Sequence, residues 1–447
     1  MALAVIPSQT PQDSPGRLFP AQYVMPFLLV TGLFFLWGIP NNLNDVLIRQ
    51  FMKSFEITRF QAGLVQSAFY TGYFLFSVPA AFVMRRHGYK TGLVTGLLLY
   101  SAGTFLFYPA AMARSYTLFL LALFVIASGL GFLETGANPL IAQMGDESSS
   151  VRRLNFSQAF NPIGAIVGVL IGTRFIFSGI ELDTGDIVRM KLAGTYDAYL
   201  QHETMRVITP YMVLGVVVVF WAILIARTRF PAIAEDYSCV DVTPRGGYRQ
   251  LLQYPHFMLA VLAQFCYVGA QVGTWSYFIQ YVQDYVHQPE KIAGYFLTGT
   301  LVGFGVGRFV SSQLMRVVPA HRLMGIFALI NVTLVAIGIL LPGWVGLWAI
   351  FLTSFFMSLM FPTIFALGLN GLGKNTKSGA SLLVMAIIGG AVFTPLIGWV
   401  FQTTRSMAQA MIVPLSCYVA VGIYAFWGSR LAPLASHRQT IERRSQG

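Results

Sequence analysis

Acidic residues are absent from long stretches of this sequence, and that gap restricts the fold more than any other feature. Of the 447 residues only 17 are Asp or Glu, and 10% are charged, compared with roughly 25% in an ordinary soluble domain. A cytoplasmic enzyme of this length needs more charge to cover its surface. The aromatic content of 14% excludes disordered and fibrous proteins. The sequence therefore predicts a membrane protein.

Apolar segments recur about twelve times along the chain. Since backbone polar groups cannot stay unpaired in lipid, segments long enough to span a bilayer are predicted to be helices. Strands of a barrel would alternate in polarity, whereas Leu-Leu-Ala-Leu-Phe-Val-Ile at 120–126 does not. The predicted fold class is an all-α membrane protein with twelve transmembrane helices. The predicted spans lie near 23–46, 61–83, 91–112, 116–142, 155–178, 210–228, 256–283, 291–315, 321–341, 344–367, 378–402 and 408–430.

A polar segment with several Pro and Gly residues separates the sixth span from the seventh, as expected of a linker between two six-helix halves. A shift of 231 residues aligns Ala62-Gly63 with Ala293-Gly294, which favours an internal duplication. The predicted domains are an N-terminal cytoplasmic tail at 1–22, a first half at 23–228, a cytoplasmic linker at 229–255, a second half at 256–430 and a C-terminal cytoplasmic tail at 431–447.

The basic residues predict the orientation of the chain. With both termini in the cytoplasm, 18 of the 29 Lys and Arg residues fall in inner loops and tails and nine in outer loops, as the positive-inside rule requires. The net charge of +12 is explained in this way, without a nucleic-acid partner. Three scattered cysteines exclude a disulfide framework or a zinc site. We expect a multi-pass protein of a bacterial-type inner membrane, with no metal.

Only two carboxylates, Asp45 and Glu134, lie within the predicted spans, where a charge costs about 3 kcal/mol. For Asp45 the alternative is that the first helix ends earlier and the acid caps its outer end. The six His residues all fall in loops or at span ends. The two acids are therefore the predicted proton carriers, with H⁺ as coupling ion and no other cofactor.

Polar and aromatic side chains gather around these acids. Amides pair with hydroxyls and aromatic rings pack on C–H faces, so such a lining favours a neutral, polyhydroxylated solute. For any single Asn the alternative is a hydrogen bond between helices. Arg308 is a candidate to neutralise a carboxylate or to contact the substrate; the alternative is a side chain that reaches the cytoplasmic rim. The clustered residues at helical spacing are Trp37, Asn41, Asn42, Asn44, Gln66, Tyr70, Tyr73, Asn138, Asn155, Gln158, Asn161, Gln264, Tyr267, Gln271 and Trp275.

Several motifs resemble the L-fucose–proton symporter family of the major facilitator superfamily, which also includes glucose/galactose permeases. They include Asn41-Asn-Leu-Asn-Asp45, Gly131-Phe-Leu-Glu-Thr-Gly-Ala-Asn-Pro139 and Ala263-Gln-Phe-Cys-Tyr-Val-Gly-Ala-Gln271, and the match covers about 23–430. The loop Arg85-Arg-His-Gly-Tyr-Lys90 departs from the general facilitator pattern, because it lacks the acidic residue.

The resemblance implies the major facilitator fold, with two six-helix halves that expose a central site alternately to either side. It also implies roles for individual residues. The two acids would take part in proton coupling and sugar recognition, and amides and an indole would contact the sugar. The residues matched to those roles are Asp45, Glu134, Asn42, Gln158, Asn161, Gln271 and Trp275.

The resulting hypothesis is a monomeric, non-enzymatic symporter that imports a neutral monosaccharide, L-fucose first, with a proton. One alternative is a permease for glucose, galactose or another hexose. A second is Na⁺ coupling through oxygen atoms of Asp45 and Asn42. A third is a non-transporting sugar sensor, which is disfavoured because the linker and C-terminal tail are too short for a signalling domain.

Overall fold

The computed structural model describes residues 23–144, 153, 156–230, 248–315, 317–372 and 376–431. Within these ranges the regular elements are helices and there is no strand. Eleven of the helices are long and apolar enough to cross a membrane, and Glu290–Leu314 adds a further helix of 25 residues. The predicted all-α fold is thus confirmed, whereas the two predicted tails (apart from Leu431) and most of the predicted linker lie outside the described residues.

The twelve long helices are numbered here in chain order. They are α1 Val24–Phe55, α2 Arg59–Met84, α3 Arg86–Met112, α4 Tyr116–Asn138, α5 Phe156–Ile176, α6 Tyr196–Arg227, α7 Pro255–Val286, α8 Glu290–Leu314, α9 Ala320–Leu340, α10 Trp344–Leu369, α11 Leu382–Thr404 and α12 Met407–Arg430.

The outer surface of this bundle is apolar. Phe220, Phe309 and Trp399 are each more than half exposed, and many other large apolar side chains share their situation. A soluble monomer rarely exposes contiguous apolar surface on this scale, because its contact with water is unfavourable. A surface of this kind suits a lipid environment, with the polar residues turned inward.

Helix α1 is longer than the sequence predicts. It continues to Phe55 instead of ending near residue 46, because Leu47, Ile48 and Phe51 extend its buried apolar face. Asp45 is therefore inside the helix and only 2% exposed, so the alternative that it caps the end of the first span is wrong.

The connection before the sixth span is more ordered than predicted. Within 179–209 the chain forms a separate helix, Thr184–Leu192, which buries none of its residues. Helix α6 then begins at Tyr196, well before the predicted start near 210, and its first turns bury Leu200 and Glu203. Glu203 thereby becomes a buried acid that the loop assignment did not anticipate.

The duplication is visible in helix geometry. Helices α1 and α7 both contain 32 residues, and their last residues are 231 positions apart. The residues that follow, Glu56 and His287, both adopt the left-handed conformation, with φ of 52° and 55°. Helices α2 and α8 begin at Arg59 and Glu290, again 231 positions apart. The shift first seen at Ala62-Gly63 thus relates the frames of the two halves.

The two halves meet along three pairs of helices. Helices α1 and α7 contact each other, and each has 67% of its most apolar window buried. Helix α2 packs on α11, where a Cβ on Gly63 would lie 2.9 Å from the Pro395 Cα. Helix α5 packs on α8, where a Cβ on Gly294 would overlap the Thr173 Oγ1. The duplicated glycines therefore both serve close approach between the halves.

Candidate functional site

A cavity of about 220 Å³ lies between the two halves. Eight helices contribute to its lining, namely α1, α2, α4 and α5 from the first half and α7, α8, α10 and α11 from the second. Fourteen of the eighteen residues singled out in the sequence line this one cavity, whereas Asn44, Gln264 and Tyr267 do not, and Asn155 lies outside the described residues. The fourteen are Trp37, Asn41, Asn42, Asp45, Gln66, Tyr70, Tyr73, Glu134, Asn138, Gln158, Asn161, Gln271, Trp275 and Arg308.

Three donors hold the Asp45 carboxylate. Gln66 Nε2 and Ser276 Oγ both donate to Oδ1 at 2.9 Å, and Asn42 Nδ2 donates to Oδ2 at 3.2 Å. Gln66 Nε2 also donates to Ser276 Oγ at 3.0 Å, which closes a ring of three side chains. Because Ser276 belongs to α7, the carboxylate on α1 is bonded to both halves of the protein.

The Glu134 carboxylate has a different environment. It lines the cavity from α4 and is half-buried, and it has no hydrogen-bond or ion-pair partner among the described residues. Only its backbone oxygen is engaged, accepting from Asn138 Nδ2 at 3.0 Å. One acid is therefore fixed by the protein, and the other is available to a ligand or to water.

Amide and hydroxyl groups extend the polar wall on the side of the first half. Gln158 Nε2 donates to Asn138 Oδ1 at 3.2 Å, which joins α5 to α4. Asn161 Nδ2 donates to the Phe34 backbone oxygen at 3.3 Å, which joins α5 to α1. These bonds orient the amides at the cavity surface.

The second half lines the opposite wall with Trp275, Phe304 and Phe361, and the first half adds the rings of Phe34, Trp37, Tyr70 and Tyr73. The Trp275 indole packs edge-on against the Phe304 ring, with centroids 5.2 Å apart at 84°. Its Nε1 donates to Ser354 Oγ at 3.0 Å, so the N–H is already satisfied and the indole offers the cavity an apolar face. Gln271, one turn before it on α7, lines the cavity as well.

Arg308 does not act as the predicted charge partner. It lines the cavity, and no ion pair of the described residues involves it. Its guanidinium lies 5.0 Å from the Phe304 ring centroid, an arrangement typical of a cation–π contact. The alternative of reaching the cytoplasmic rim is also wrong, since the side chain turns toward the cavity instead.

Two residues grouped with Gln271 in the sequence lie outside the cavity lining. Gln264 is fully buried elsewhere on α7, and Tyr267 donates from its hydroxyl to the Met357 backbone oxygen at 3.1 Å. Along a long helix such as α7, one polar face contacts different neighbouring helices at different heights. Only the later part of this stripe reaches the site.

Sequence reasoning missed Ser276, Ser354 and Phe304. The two hydroxyls carry no charge, and serines are common in membrane helices, so neither has a signal of its own. Ser276 could have been found through the repeat, because it is 231 residues after Asp45.

Charged side chains join the halves at one end of the bundle, the end that carries the connections 56–58 and 287–289 and is called the distal end here. Arg59 donates to Asp284 through two bonds of 2.6 and 2.7 Å. The Lys53 Nζ lies 3.2 Å from carboxylate oxygens of both Glu203 and Glu290. At the opposite end, the bonds from Lys90 to Thr228 and between His256 and Asn370 each stay within one half.

The chemistry of the site is that of a binding chamber. Within the described residues no cluster of three or more His, Cys, Asp or Glu side chains could hold a metal ion. The lining combines two carboxylates, several amides and aromatic rings in a space between helices. Such a lining can hold a hydroxyl-rich solute and can exchange a proton.

Comparison with known proteins gives consistent relatives. The Major Facilitator Superfamily model matches residues 27–395. The chain is 43% identical over 417 residues to the L-fucose-proton symporter of Escherichia coli, covering 92% of this chain and 94% of that protein. It is 33% identical over 403 residues to a glucose/galactose transporter of Brucella abortus, covering 90% and 93%. A crystal structure of the transporter FucP in the outward conformation matches with 42% identity and a TM-score of 0.68, covering 92% and 100%.

Proposed function

Because this chain belongs to the Major Facilitator Superfamily and to the L-fucose–proton symporters within it, we infer that it carries a neutral monosaccharide together with a proton across a membrane. One observation supports this function most directly: Asp45 and Glu134 both line a single chamber between the two halves. We also infer that the chain is a transporter and not an enzyme, since its relatives are transporters.

The sugar proposed is L-fucose. Two relatives named for it match at 43% and 34% identity. The chamber suits such a solute, because amides on α4 and α5 can pair with hydroxyls while the Trp275 face covers the C–H side of the ring. The glucose/galactose transporter at 33% identity makes a hexose the second candidate.

The two acids are proposed to divide the work of coupling. Glu134 has no described partner in the chamber, so it can contact the sugar and water directly. Asp45 is hydrogen-bonded to both halves, so its proton affinity can depend on whether the halves are in contact. Neutralising a buried carboxylate removes the cost of enclosing its charge, and the loaded halves can then tilt to open the chamber on the other side.

Protons are favoured over Na⁺ as the coupling ion. A sodium site needs oxygen atoms that point their lone pairs at the ion. Here Asn42, Gln66 and Ser276 all direct hydrogens at the Asp45 oxygens. The lone pairs of these three groups are therefore not offered to an ion beside Asp45, whereas a proton needs only one carboxylate oxygen.

The remaining expectations follow from the loop charges and the family. We propose a bacterial-type inner membrane with both termini in the cytoplasm, a monomer as the working unit, and H⁺ as the only cofactor. The distal end then faces the outside, and this structure is closed on that side by the Arg59 and Lys53 ion pairs.

The test is uptake of radiolabelled L-fucose into proteoliposomes, with and without a pH gradient. Wild type should accumulate L-fucose when the outside is acidic, and unlabelled L-fucose should compete better than D-galactose or D-glucose. Glu134→Gln should lose accumulation against a gradient, whereas Glu56→Gln, which changes an exposed acid, should not. Unchanged pH-driven accumulation by Glu134→Gln would contradict the role given to this acid.

A further inference from the structure

We propose that Ser276 is a positioning residue for the coupling carboxylate, supplied to Asp45 from the opposite half of the protein. The inference rests on the proposed proton–sugar symport. Ser276 occupies the place on α7 that Asp45 occupies on α1, 231 residues earlier. The internal repeat therefore brings an acid and a hydroxyl at equivalent positions into direct contact across the seam.

Ser276 is fully buried and is not among the residues that line the chamber. It therefore acts on transport through Asp45 and not through the sugar. Its hydroxyl hydrogen is directed at Asp45 Oδ1, while its oxygen receives a hydrogen from Gln66. As a donor to Asp45, the hydroxyl stabilises the charged carboxylate more than the neutral acid.

The charged and titratable groups around Asp45 are few. Among the described residues of the chamber, α4 presents Glu134 and α8 presents Arg308, while α2 presents the phenols of Tyr70 and Tyr73. None of these donates to the Asp45 carboxylate, so its described partners are Asn42, Gln66 and Ser276. Of the three, only Ser276 belongs to the second half.

The contact couples proton binding to the arrangement of the halves. When the distal end opens, α7 moves away from α1 and the Ser276 hydroxyl leaves the carboxylate, whereas Asn42 and Gln66 move with Asp45. The acid then has a different set of donors in the two states. By linkage, a difference in proton affinity between two states is equally a shift of the equilibrium between those states on protonation.

The test is the pH dependence of L-fucose uptake by Ser276→Ala. A donor to a carboxylate favours its charged form, so its loss favours the protonated acid. Uptake that falls with rising pH should then keep its activity to a higher pH, with the midpoint shifted upward by about 0.5 to 1 pH unit for one lost hydrogen bond. The KM for L-fucose should not change.

Ser276→Thr, which keeps the hydroxyl, should restore the wild-type midpoint. Ser311→Ala removes an equally buried hydroxyl that bonds only its own helix, and it should leave the midpoint in place. If Ser276→Ala does not reach the membrane, Ser276→Cys, a weaker donor, should shift the midpoint in the same direction. A wild-type midpoint in Ser276→Ala, or in Ser276→Cys where that variant replaces it, overturns the inference. A wild type without pH-driven L-fucose uptake would instead overturn the proposed function.

A separate observation supports a second inference at the distal end. The first half supplies two cations, Lys53 and Arg59, and the second half supplies two anions at the equivalent positions, Asp284 and Glu290, each 231 residues later. The ion pairs are crossed with respect to the repeat. Lys53, equivalent to Asp284, pairs with Glu290, and Arg59, equivalent to Glu290, pairs with Asp284. We propose that this quartet, called the distal gate, holds the halves together and must separate before sugar can enter from that side.

The two pairs of the distal gate differ in strength. Arg59 makes a two-bond contact with Asp284 and lies 3.9 Å from the Phe401 ring centroid, and both of these partners belong to the second half. Lys53 also has Glu203 and Ser178 within its own half, so it keeps partners when Glu290 leaves. Separation of the halves therefore costs more at Arg59, which makes this pair the stronger lock.

The experiment exchanges the charges of the stronger pair. Spin labels are attached at Glu56→Cys and His287→Cys, two exposed equivalent positions, after the native cysteines are replaced by Ser. Arg59→Asp should place like charges together and lengthen the label distance. Adding Asp284→Arg should restore the wild-type distance, and Arg189→Asp, which breaks a pair within one half, should leave it unchanged. A wild-type distance distribution in Arg59→Asp, or no recovery in the exchange, would overturn the gate.

Discussion

The two halves of this protein share a frame but differ in chemistry. Helices α1 and α7 have the same length, and each is followed by a residue in the left-handed conformation. The helices that come next, α2 and α8, start 231 positions apart. Within that frame both halves line the chamber with aromatic rings, but the first half carries both chamber acids and most of the amides, whereas the second half presents Gln271 and Arg308. In the distal ion pairs of Lys53 and Arg59 that cross between the halves, the cation belongs to the first half and the anion to the second.

This difference shows how a duplicated scaffold can be specialised. The repeat determines which positions meet between the halves: α1 contacts its equivalent α7, and the contacts α2–α11 and α5–α8 correspond to each other. The residue type at each of the two contacting positions then determines what kind of interaction forms between the halves. Asp45 with Ser276 makes a proton-sensitive contact, and Arg59 with Asp284 makes a lock. If the second half carried the same residues as the first at these positions, two carboxylates would meet between α1 and α7, and cations would face cations at the distal end.

The largest effect is expected when the coupling acid is moved across the seam. Asp45→Ser should abolish pH-driven accumulation of L-fucose, because no carboxylate then remains between Gln66 and α7. Adding Ser276→Asp returns a carboxylate within reach of Gln66, which already bonds both positions, so part of the accumulation should return.

Uptake against a concentration gradient in vesicles measures both variants. Equal failure of the double variant would show that the first half, and not the position in the seam, determines coupling. In that case the comparison between the two halves would have to be redrawn.

Loss of the main aromatic face should come next. Trp275→Ala is expected to raise the KM for L-fucose about tenfold, as the loss of roughly 1.5 kcal/mol of ring contact would do. The pH midpoint of uptake should stay where it is, because the Trp275 indole donates to Ser354 and not to Asp45, whose described donors are Asn42, Gln66 and Ser276. Trp399→Ala, on the exposed outer surface, is the matched control and should change neither quantity. A shifted pH midpoint in Trp275→Ala would blur the division between the halves.

The duplicated glycines allow a comparison at equivalent positions. A methyl on Gly63 meets backbone atoms of Pro395, which cannot rotate away, whereas a methyl on Gly294 meets the Thr173 side chain, which can. Gly63→Ala should therefore destabilise the closed distal end by about 1–3 kcal/mol, and Gly294→Ala by less. Thermal unfolding of the two purified variants measures the order. The reverse order would contradict the packing described here.

The smallest effect is expected from a group behind the aromatic wall. Ser354→Ala removes the acceptor of the Trp275 N–H, at a cost of about 1 kcal/mol in holding the ring, so the KM should rise about fivefold. Ser416→Ala, whose hydroxyl bonds its own helix, serves as control. If both variants bind L-fucose as wild type does, the orientation of the indole does not depend on this bond.

The sequence predicted the helices and the position of the polar residues for the same reason. Lipid forces apolar segments to be helical, and it leaves a carboxylate such as Asp45 or Glu134 no place except the interior of the bundle. Fourteen of the eighteen candidate residues accordingly line the chamber. Their roles in transport stay predictions.

Contacts between helices were beyond the sequence. Gln264 and Tyr267 share the stripe of Gln271, yet they face other neighbours, because one helix face of α7 meets several helices along its length. Ser276 and Ser354 matter only through the partner that packing gives them. Arg308 was a candidate partner for a carboxylate, but its guanidinium lies over the Phe304 ring, because the direction of the side chain and not its charge alone decides which group it contacts.

Proton movement that accompanies the sugar tests the central claim most directly. Addition of L-fucose to an unbuffered, de-energised suspension of vesicles containing this protein should make the medium alkaline, as protons enter with the sugar. The same addition to vesicles containing Asp45→Asn should give no change, and replacing Na⁺ by choline should not alter the wild-type signal. Absence of alkalinisation in wild type, or a signal that needs Na⁺, would contradict proton coupling through the buried acids.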